Sequence, residues 1–398
     1  MPRPDRIHDL AVIGLGAFGA AVAHYAAALG LDVIAFDRHE PPHEFGSSHA
    51  ETRITRLAVG EGDHYVPFAK RSHALWRELE PEGDPLLHQP GGLIIAPAAG
   101  SDDERWGDFV TSSEAVARRG ELPFERLDPP AARALHPGLR IRDTDAVGLE
   151  PSGGLVMAEA AVRAHLHHSR QHGADIRTHC RVTGVDRGDD GVIVRTVDGD
   201  HRAAHAVVCA GPWTAELSDA TRLRVTRQEV YWFEADLDLW STDRTAFAIW
   251  CGTDISEYLG VFAVAPNAPR QAVKVVPEQF TTATSAGAVD RTITEADVSR
   301  FYEQMVEPRL AGVSARCVDR SVCLYTNTTD DHFLVDGHEE IDGVTIVSAC
   351  SGHGFKHSAA IGEALARRTA GLEHLPLDAF QRQARRPWPD TDTTHEAV

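Results

Sequence analysis

The feature that most constrains this chain is a run near its start, Val12-Ile13-Gly14-Leu15-Gly16-Ala17-Phe18-Gly19, which reads G-x-G-x-x-G. Leu10 to Ile13 predict an apolar strand leading in, and Ala20 to Leu29 predict a helix leading out. A second apolar stretch, Leu31 to Phe36, predicts another strand and ends on Asp37. Gly14 permits the tight turn, Gly16 lets the backbone approach a pyrophosphate, and Gly19 lets the helix pack on the strand. The helix start, at Ala17 and Phe18, offers free N–H groups and a partial positive charge to phosphates. Asp37 follows Gly14 by 23 residues, where an acid can take ribose hydroxyls. The run fits FAD and NAD equally.

Composition sets the outer bounds. Hydrophobic residues make up 42% and charged residues 25% of 398, as in ordinary globular proteins. No apolar run approaches the ~18 residues of a membrane span. The start, Met1 to Arg6, lacks the apolar core of a signal peptide, so a cytoplasmic protein is expected. The net charge of −20 argues against nucleic acid or an anionic membrane as partner. Six cysteines form no C-x-x-C pair, which excludes zinc ribbons and thioredoxin-type motifs and makes buried thiols the default.

Further elements follow from periodicity and punctuation. Helices are predicted over His64 to Glu80, Ser101 to Arg119, Met157 to His172, Glu295 to Leu310 (opened by Thr294) and Phe355 to Thr369. Ser101 is the predicted N-cap of the second, with Asp102, Asp103 and Glu104 in its first turn. Asp175 to Gly211 reads as short strands with turns, and Arg222 to Val276, rich in β-branched and aromatic residues, as antiparallel sheet. Gly343 to Ala349 is a strand, followed by Ser351-Gly352-His353-Gly354. A strand–glycine–helix unit thus recurs near the C-terminus, so the sheet-rich middle is expected to interrupt a discontinuous nucleotide domain. The expected division is 1–85, 150–220 and 320–385 for that domain, 86–149 and 221–319 for the other, and a disordered tail over 386–398.

Four further runs carry chemistry. Gly46-Ser47-Ser48-His49-Ala50-Glu51-Thr52-Arg53-Ile54-Thr55-Arg56 places two guanidiniums at i and i+3, suited to negative charge on a ring or a carboxylate. Ser321-Val322-Cys323-Leu324-Tyr325-Thr326 precedes Asp330-Asp331-His332-Phe333. Cys350-Ser351-Gly352-His353-Gly354-Phe355-Lys356 is a glycine-flanked turn into a helix, whose N–H groups favour negative charge. His353 and His357 have zinc-ligand spacing without a third ligand, so no metal is expected. Gln271-Ala272-Val273-Lys274-Val275-Val276 places a lysine inside an apolar strand, costly to bury without a partner or a task.

Together these runs resemble the monomeric sarcosine oxidase and N-methyltryptophan oxidase family, within the D-amino-acid-oxidase-like flavoproteins, over about Asp9 to Gly371. The resemblance implies an α/β (α+β) two-domain flavoprotein: a Rossmann-like FAD-binding domain with an antiparallel-sheet substrate domain. It implies FAD attached through a thioether to Cys323. Around the cofactor it places Arg38, Ser47, His49, Thr52, Arg53, Val182, Ala210, Gly211, Trp213, Gly352, His353, Gly354, Phe355 and Lys356. Arg56 and Lys356 would clamp a substrate carboxylate, with Tyr325, Tyr258 and Ile249 lining the pocket. Lys274 would speed the reaction with oxygen, with Arg53, His353 and Tyr258 beside the reacting centre.

The implied activity is oxidation of a small secondary or cyclic amino acid to an imine, with O2 as acceptor, hydrogen peroxide as product and a monomeric enzyme. Transfer of electrons to a partner protein, a nicotinamide dehydrogenase and a non-catalytic nucleotide-binding module are the alternatives. One departure stands out. The family's histidine four residues after the lysine is here Glu278, which would favour a substrate with a second cationic group.

Overall fold

The computed structural model describes residues 6–80, 84–97, 109–218, 223–252 and 258–381. The expected cap at Ser101 and the expected disordered tail over 386–398 lie outside the described residues. Among those described, no helix is long and apolar enough to cross a membrane.

The first strand, Ile7–Ile13, runs parallel to Val33–Phe36 on one side and to Gly199–Val208 on the other. It is central in an eight-stranded sheet, and Leu10, Ala11 and Val12 are fully buried. Parallel strands are covered on both faces, which is why they read as unbroken apolar runs. The outer edge of Gly199–Val208 is shared. Its first half pairs with Gly191–Thr196 in a hairpin, and its last residues pair in parallel with Val344–Ser348.

The helix Ala17–Ala28 begins three residues before the predicted start, because it takes in Gly19. It is alanine-rich and buried along most of its length, packed between Ser358–Thr369 and Ala158–Gln171. Small side chains allow that approach: a Cβ on Gly362 would lie 2.4 Å from that of Ala21.

A nine-stranded sheet forms the second layer. Its order is Ala283–Thr284, Arg224–Ala235, Val273–Glu278, Tyr258–Phe262, Phe247–Cys251, Gly92–Pro97, Asp145–Glu150 and Glu125–Leu127. Val313–Asn327 lies along Arg224–Ala235. Its pairings are antiparallel except one: Phe247–Cys251 runs parallel to Gly92–Pro97, joining segments far apart in the chain. A third sheet, missed in the sequence, pairs Thr52–Thr55 with Gly154–Met157, which also takes Leu87–His88. Thr-Arg-Ile-Thr lacks the apolar alternation that would announce a strand.

The helix opened by Thr294 has a full capping box, with Asp297 N donating to Thr294 Oγ1 (3.2 Å) and Thr294 N to Asp297 Oδ2 (2.9 Å). It is α-helical over Glu295–Phe301 and then widens into a π turn over Tyr302–Val306.

Candidate functional site: a cleft from a phosphate cradle to buried charges

One cleft runs from Gly14, Gly16 and Asp37, past Arg53, to Tyr258, Glu278, Tyr325, Gly352 and Lys356. At its first end the backbone does the shaping. Gly14 has φ +88°, and a Cβ there would meet the Cys209 carbonyl oxygen at 2.5 Å. The Leu15 amide donates to Asp37 Oδ2 (2.8 Å), and the His39 amide to Oδ1 (2.9 Å). That fixes the carboxylate at the tip of its strand. The helix Ala17–Ala28 has no side-chain N-cap from Gly16 and no acid in its first turn, so its positive end is uncompensated there. Ser48 Oγ accepts from Ala17 N (3.0 Å). Phe18, Val182, Ala210 and Gly211 line the same end, where the Arg38 guanidinium lies 4.8 Å over the Trp213 ring.

In the middle, Arg53 Nη2 donates to the Ser47 carbonyl (2.8 Å) and Nη1 to the Thr52 carbonyl (2.8 Å). Nη2 is 3.7 Å from Cys323 Sγ. Cys323 is 2% exposed and packs with Ala50, Val230, Trp232 and Ala272, behind the residues that line the cleft. Lys274 is likewise buried behind the lining. Its Nζ donates to the carbonyls of Ala50 (3.0 Å) and Thr52 (2.6 Å) and lies 3.8 Å over the Phe262 ring. Burial, then the nearby Arg53 charge, pushes its pKa well below the lysine range.

Ala50 and Glu51 both have positive φ, +73° and +61°, a left-handed pair without glycine. Lys274 holds the carbonyl of the first. Arg270 holds the carboxylate of the second, through its amide (3.0 Å) and Nη1 (2.7 Å). His49 is buried beside this turn, and burial, with Arg53, lowers its pKa to about 3, so it is neutral.

The far end is ionic. Arg56, 3% exposed, donates Nη2 to Glu61 Oε2 (2.8 Å) and Nη1 to the Ala58 carbonyl (2.8 Å) and Ser113 Oγ (3.2 Å). Lys356 Nζ donates to the His353 carbonyl (2.6 Å) and lies 3.9 Å from Glu61 Oε1. Burial alone would raise Glu61, but Arg56, Lys356 and His353 outweigh it and hold the carboxyl well below the usual range. Burial lowers Lys356 to about 8 despite Glu61. Burial also lowers His353 to about 3, leaving a neutral ring whose Nε2–H donates to the Asp331 carbonyl (2.9 Å).

Glu278 faces the same space. It is 7% exposed, hydrogen-bonded with Tyr325, and raised to about 8 by burial and then by Glu61. Burial, with Glu278 adding to it, likewise raises Tyr258 and Tyr325 well above the phenol range.

The cleft therefore gathers most of the residues named from the sequence. Gly19, His49, Thr52, Lys274 and Cys323 stand immediately behind it. Ile249, 1% exposed, instead packs in an apolar cluster with Ile94, Ala246 and Phe262. Sequence reasoning missed Glu61, although Gly60-Glu61-Gly62 set a carboxylate between two glycines five residues after Arg56.

The residues present fit FAD. The glycine turn leaves a cradle that a Cβ would fill, and the helix end above it carries no acid. Thr326 Oγ1 and Ser348 Oγ, on residues that line the cleft, are buried without a hydrogen-bond partner among the described residues, as groups awaiting a polar ligand would be.

Comparison with known proteins agrees. The family profile for FAD dependent oxidoreductases matches residues 9–368. N-methyl-L-tryptophan oxidases of Shigella flexneri and Escherichia coli are 30% identical over 363 residues, covering 89% of this chain and 93% of theirs. Among solved structures, NikD, an amino acid oxidase essential for nikkomycin biosynthesis, superposes with a TM-score of 0.82 at 20% identity, over 98% of this chain and 100% of its own. L-proline dehydrogenase from P. horikoshii gives 0.76 at 18% identity, over 94% and 97%. The latter two likenesses speak to the fold. With a helix end over a glycine cradle and a profile match along nearly its whole length, the chain belongs to the family of FAD dependent oxidoreductases.

Proposed function

We propose that the protein oxidises the C–N bond of a small secondary or cyclic amino acid to an imine, with O2 as the acceptor. The carrying observation is the meeting of two buried cations, Arg56 and Lys356, with the Gly352–Gly354 turn in one cleft. FAD, when bound, supplies the hydride acceptor. Arg56 and Lys356 would take the substrate carboxylate, which then replaces Glu61 as their partner. The Gly352–Gly354 turn and the Arg53 guanidinium would favour negative charge on the ring beside them. Tyr258 and Tyr325, neutral phenols, would close the pocket and keep water out.

Lys274, inside the protein behind Ala50, would assist the reaction with O2. Cys323 would hold the flavin by a thioether, with the Arg53 guanidinium 3.7 Å from its sulfur.

Anaerobic addition of N-methyl-L-tryptophan, sarcosine or L-proline to the yellow protein is the test. Bleaching by at least one, followed by peroxide release on admitting air, is the expected result. Bleaching without peroxide would give the electrons to a partner protein instead, and no bleaching by any amine would reject the reading. Acid-precipitated protein should stay yellow, and that of Cys323→Ser should not.

A further inference from the structure

Glu278 is a buried acid that the chemistry above does not use. Three elements surround its carboxyl group. It sits on the strand Val273–Glu278, directly across from Tyr258 in the neighbouring strand. Tyr325, on Val313–Asn327, shares a hydrogen bond with it. The turn at Gly352 passes beneath it: a Cβ on Gly352 would come within 2.3 Å of Glu278 Oε1 and 3.1 Å of the Tyr325 ring. Gly352 has φ +77°, so glycine serves there both for conformation and for room. The charged and titratable groups that face Glu278 are Glu61 and Asp331, which raise it, and Lys356, which lowers it, beside the two tyrosines.

Glu61 already answers Arg56 at 2.8 Å, so Glu278 is left without a cation of its own in hydrogen-bonding contact among the described residues. An acid in such a place is costly to ionise until a cation arrives. We propose that Glu278 is the counter-charge for the substrate's own reacting nitrogen, which it receives as an ammonium and whose extra proton its carboxylate then takes back to leave the neutral amine that oxidation requires, making it the residue that selects α-amino acids over plain carboxylates. The inference rests on the oxidase reading above. Lys356 and Glu278 are near enough to feel each other's charge. A carboxylate held at Lys356, in the cleft that Glu278 also lines, would present its nitrogen, one carbon away, to Glu278. The second cationic group expected from sequence is then unnecessary.

Because the free acid titrates at about 8, binding a cation below that pH must expel its proton. The probe is glycine betaine, whose quaternary nitrogen cannot lose a proton and has no lone pair for oxidation. Its uncharged counterpart is 3,3-dimethylbutanoate, which has the same shape and the same carboxylate, so any titration of Lys356 cancels in their ratio. Both are titrated into the holoenzyme and followed by the flavin spectrum and by calorimetry in two buffers.

In the wild type the affinity ratio of betaine to dimethylbutanoate should rise about tenfold from pH 7 to 9, as the ionised fraction of Glu278 grows, and level off above that. About one proton should be released per betaine at pH 7 and none at pH 9. Glu278→Gln should flatten the ratio and abolish the proton release, while Glu278→Asp should keep both. A ratio independent of pH in the wild type, an unchanged step in Glu278→Gln, or binding of neither probe would overturn the proposal. So would a step given only by 4-trimethylammoniobutanoate, whose cation lies farther from its carboxylate. Should no amine bleach the flavin while betaine still shows the step, the oxidase reading falls and the pairing stands. Should an amine bleach the flavin while the ratio stays flat, the pairing falls and the oxidase reading stands.

Discussion

The two ends of the cleft are built on opposite principles. At the phosphate end the protein offers backbone: a glycine turn, a helix start without an acid and one carboxylate fixed by two amides. At the far end it offers side chains, all ionisable: Arg56, Lys356 and Glu278, which are buried, and Glu61, which is partly so. The first end needs room and direction, and it tolerates almost no added atom. The second needs charge balance, and a single substitution there leaves another charge without its partner. A constant ligand part suits the first design, and a variable one suits the second.

The contrast can be broken, or made sharper, by substitution. The largest effect belongs to Gly14→Ala. The new Cβ would strike a backbone oxygen at 2.5 Å in a left-handed conformation. We expect colourless protein, measured by absorbance near the flavin band; retention of full colour would mean the cradle is less exacting than its geometry.

Next comes Arg56→Met, which leaves the partly buried Glu61 without its guanidinium partner. A loss of about 3 kcal/mol in unfolding free energy is expected, with a strongly raised apparent KM, and Arg56→Met/Glu61→Gln should regain part of the stability. In the wild type, Glu61 is held below its unfolded pKa. Its contribution is therefore present above the unfolded value of about 4 and is lost as pH falls.

Glu278 has the reverse sign, since its folded pKa of about 8 lies above the unfolded one. Its burial should erode stability as pH rises from about 4 to 8, and Glu278→Gln should remove that slope from a series of thermal melts.

Lys274→Met frees two carbonyls beside a left-handed turn. It should cost about 1–3 kcal/mol and slow reoxidation by air more than anaerobic reduction; equal slowing would argue that only the turn is disturbed. The smallest change is Ser48→Ala, which leaves the Ala17 amide without its acceptor, at about 1 kcal/mol with the colour retained.

The legibility of the sequence follows the same divide. The glycine spacing, the strand before it and Asp37 after it could be read because a local backbone motif is contiguous in the chain. The capping box at Thr294 was legible for the same reason, although the π turn that ends that helix was not. Glu61 escaped because its partner Arg56 is bonded to it by folding, and nothing in Gly-Glu-Gly says which way the carboxylate points. The parallel join of Phe247–Cys251 to Gly92–Pro97 escaped because it depends on two segments far apart in sequence. Thr52–Thr55 escaped because it buries its two threonines and leaves Ile54 partly exposed, so no apolar alternation marks it.

The sheet that carries the phosphate cradle has its own timing. Its central strand leaves the ribosome first, yet the strand Val344–Ser348, beside the turn that faces the other side of the cleft, emerges among the last. A nascent chain halted before residue 344 has the glycine turn but neither Gly352 nor the helix Ser358–Thr369 that covers Ala17–Ala28. Cofactor capture is thus an event of the finished polypeptide, and partial products of translation would leave an alanine-lined groove open to chaperones.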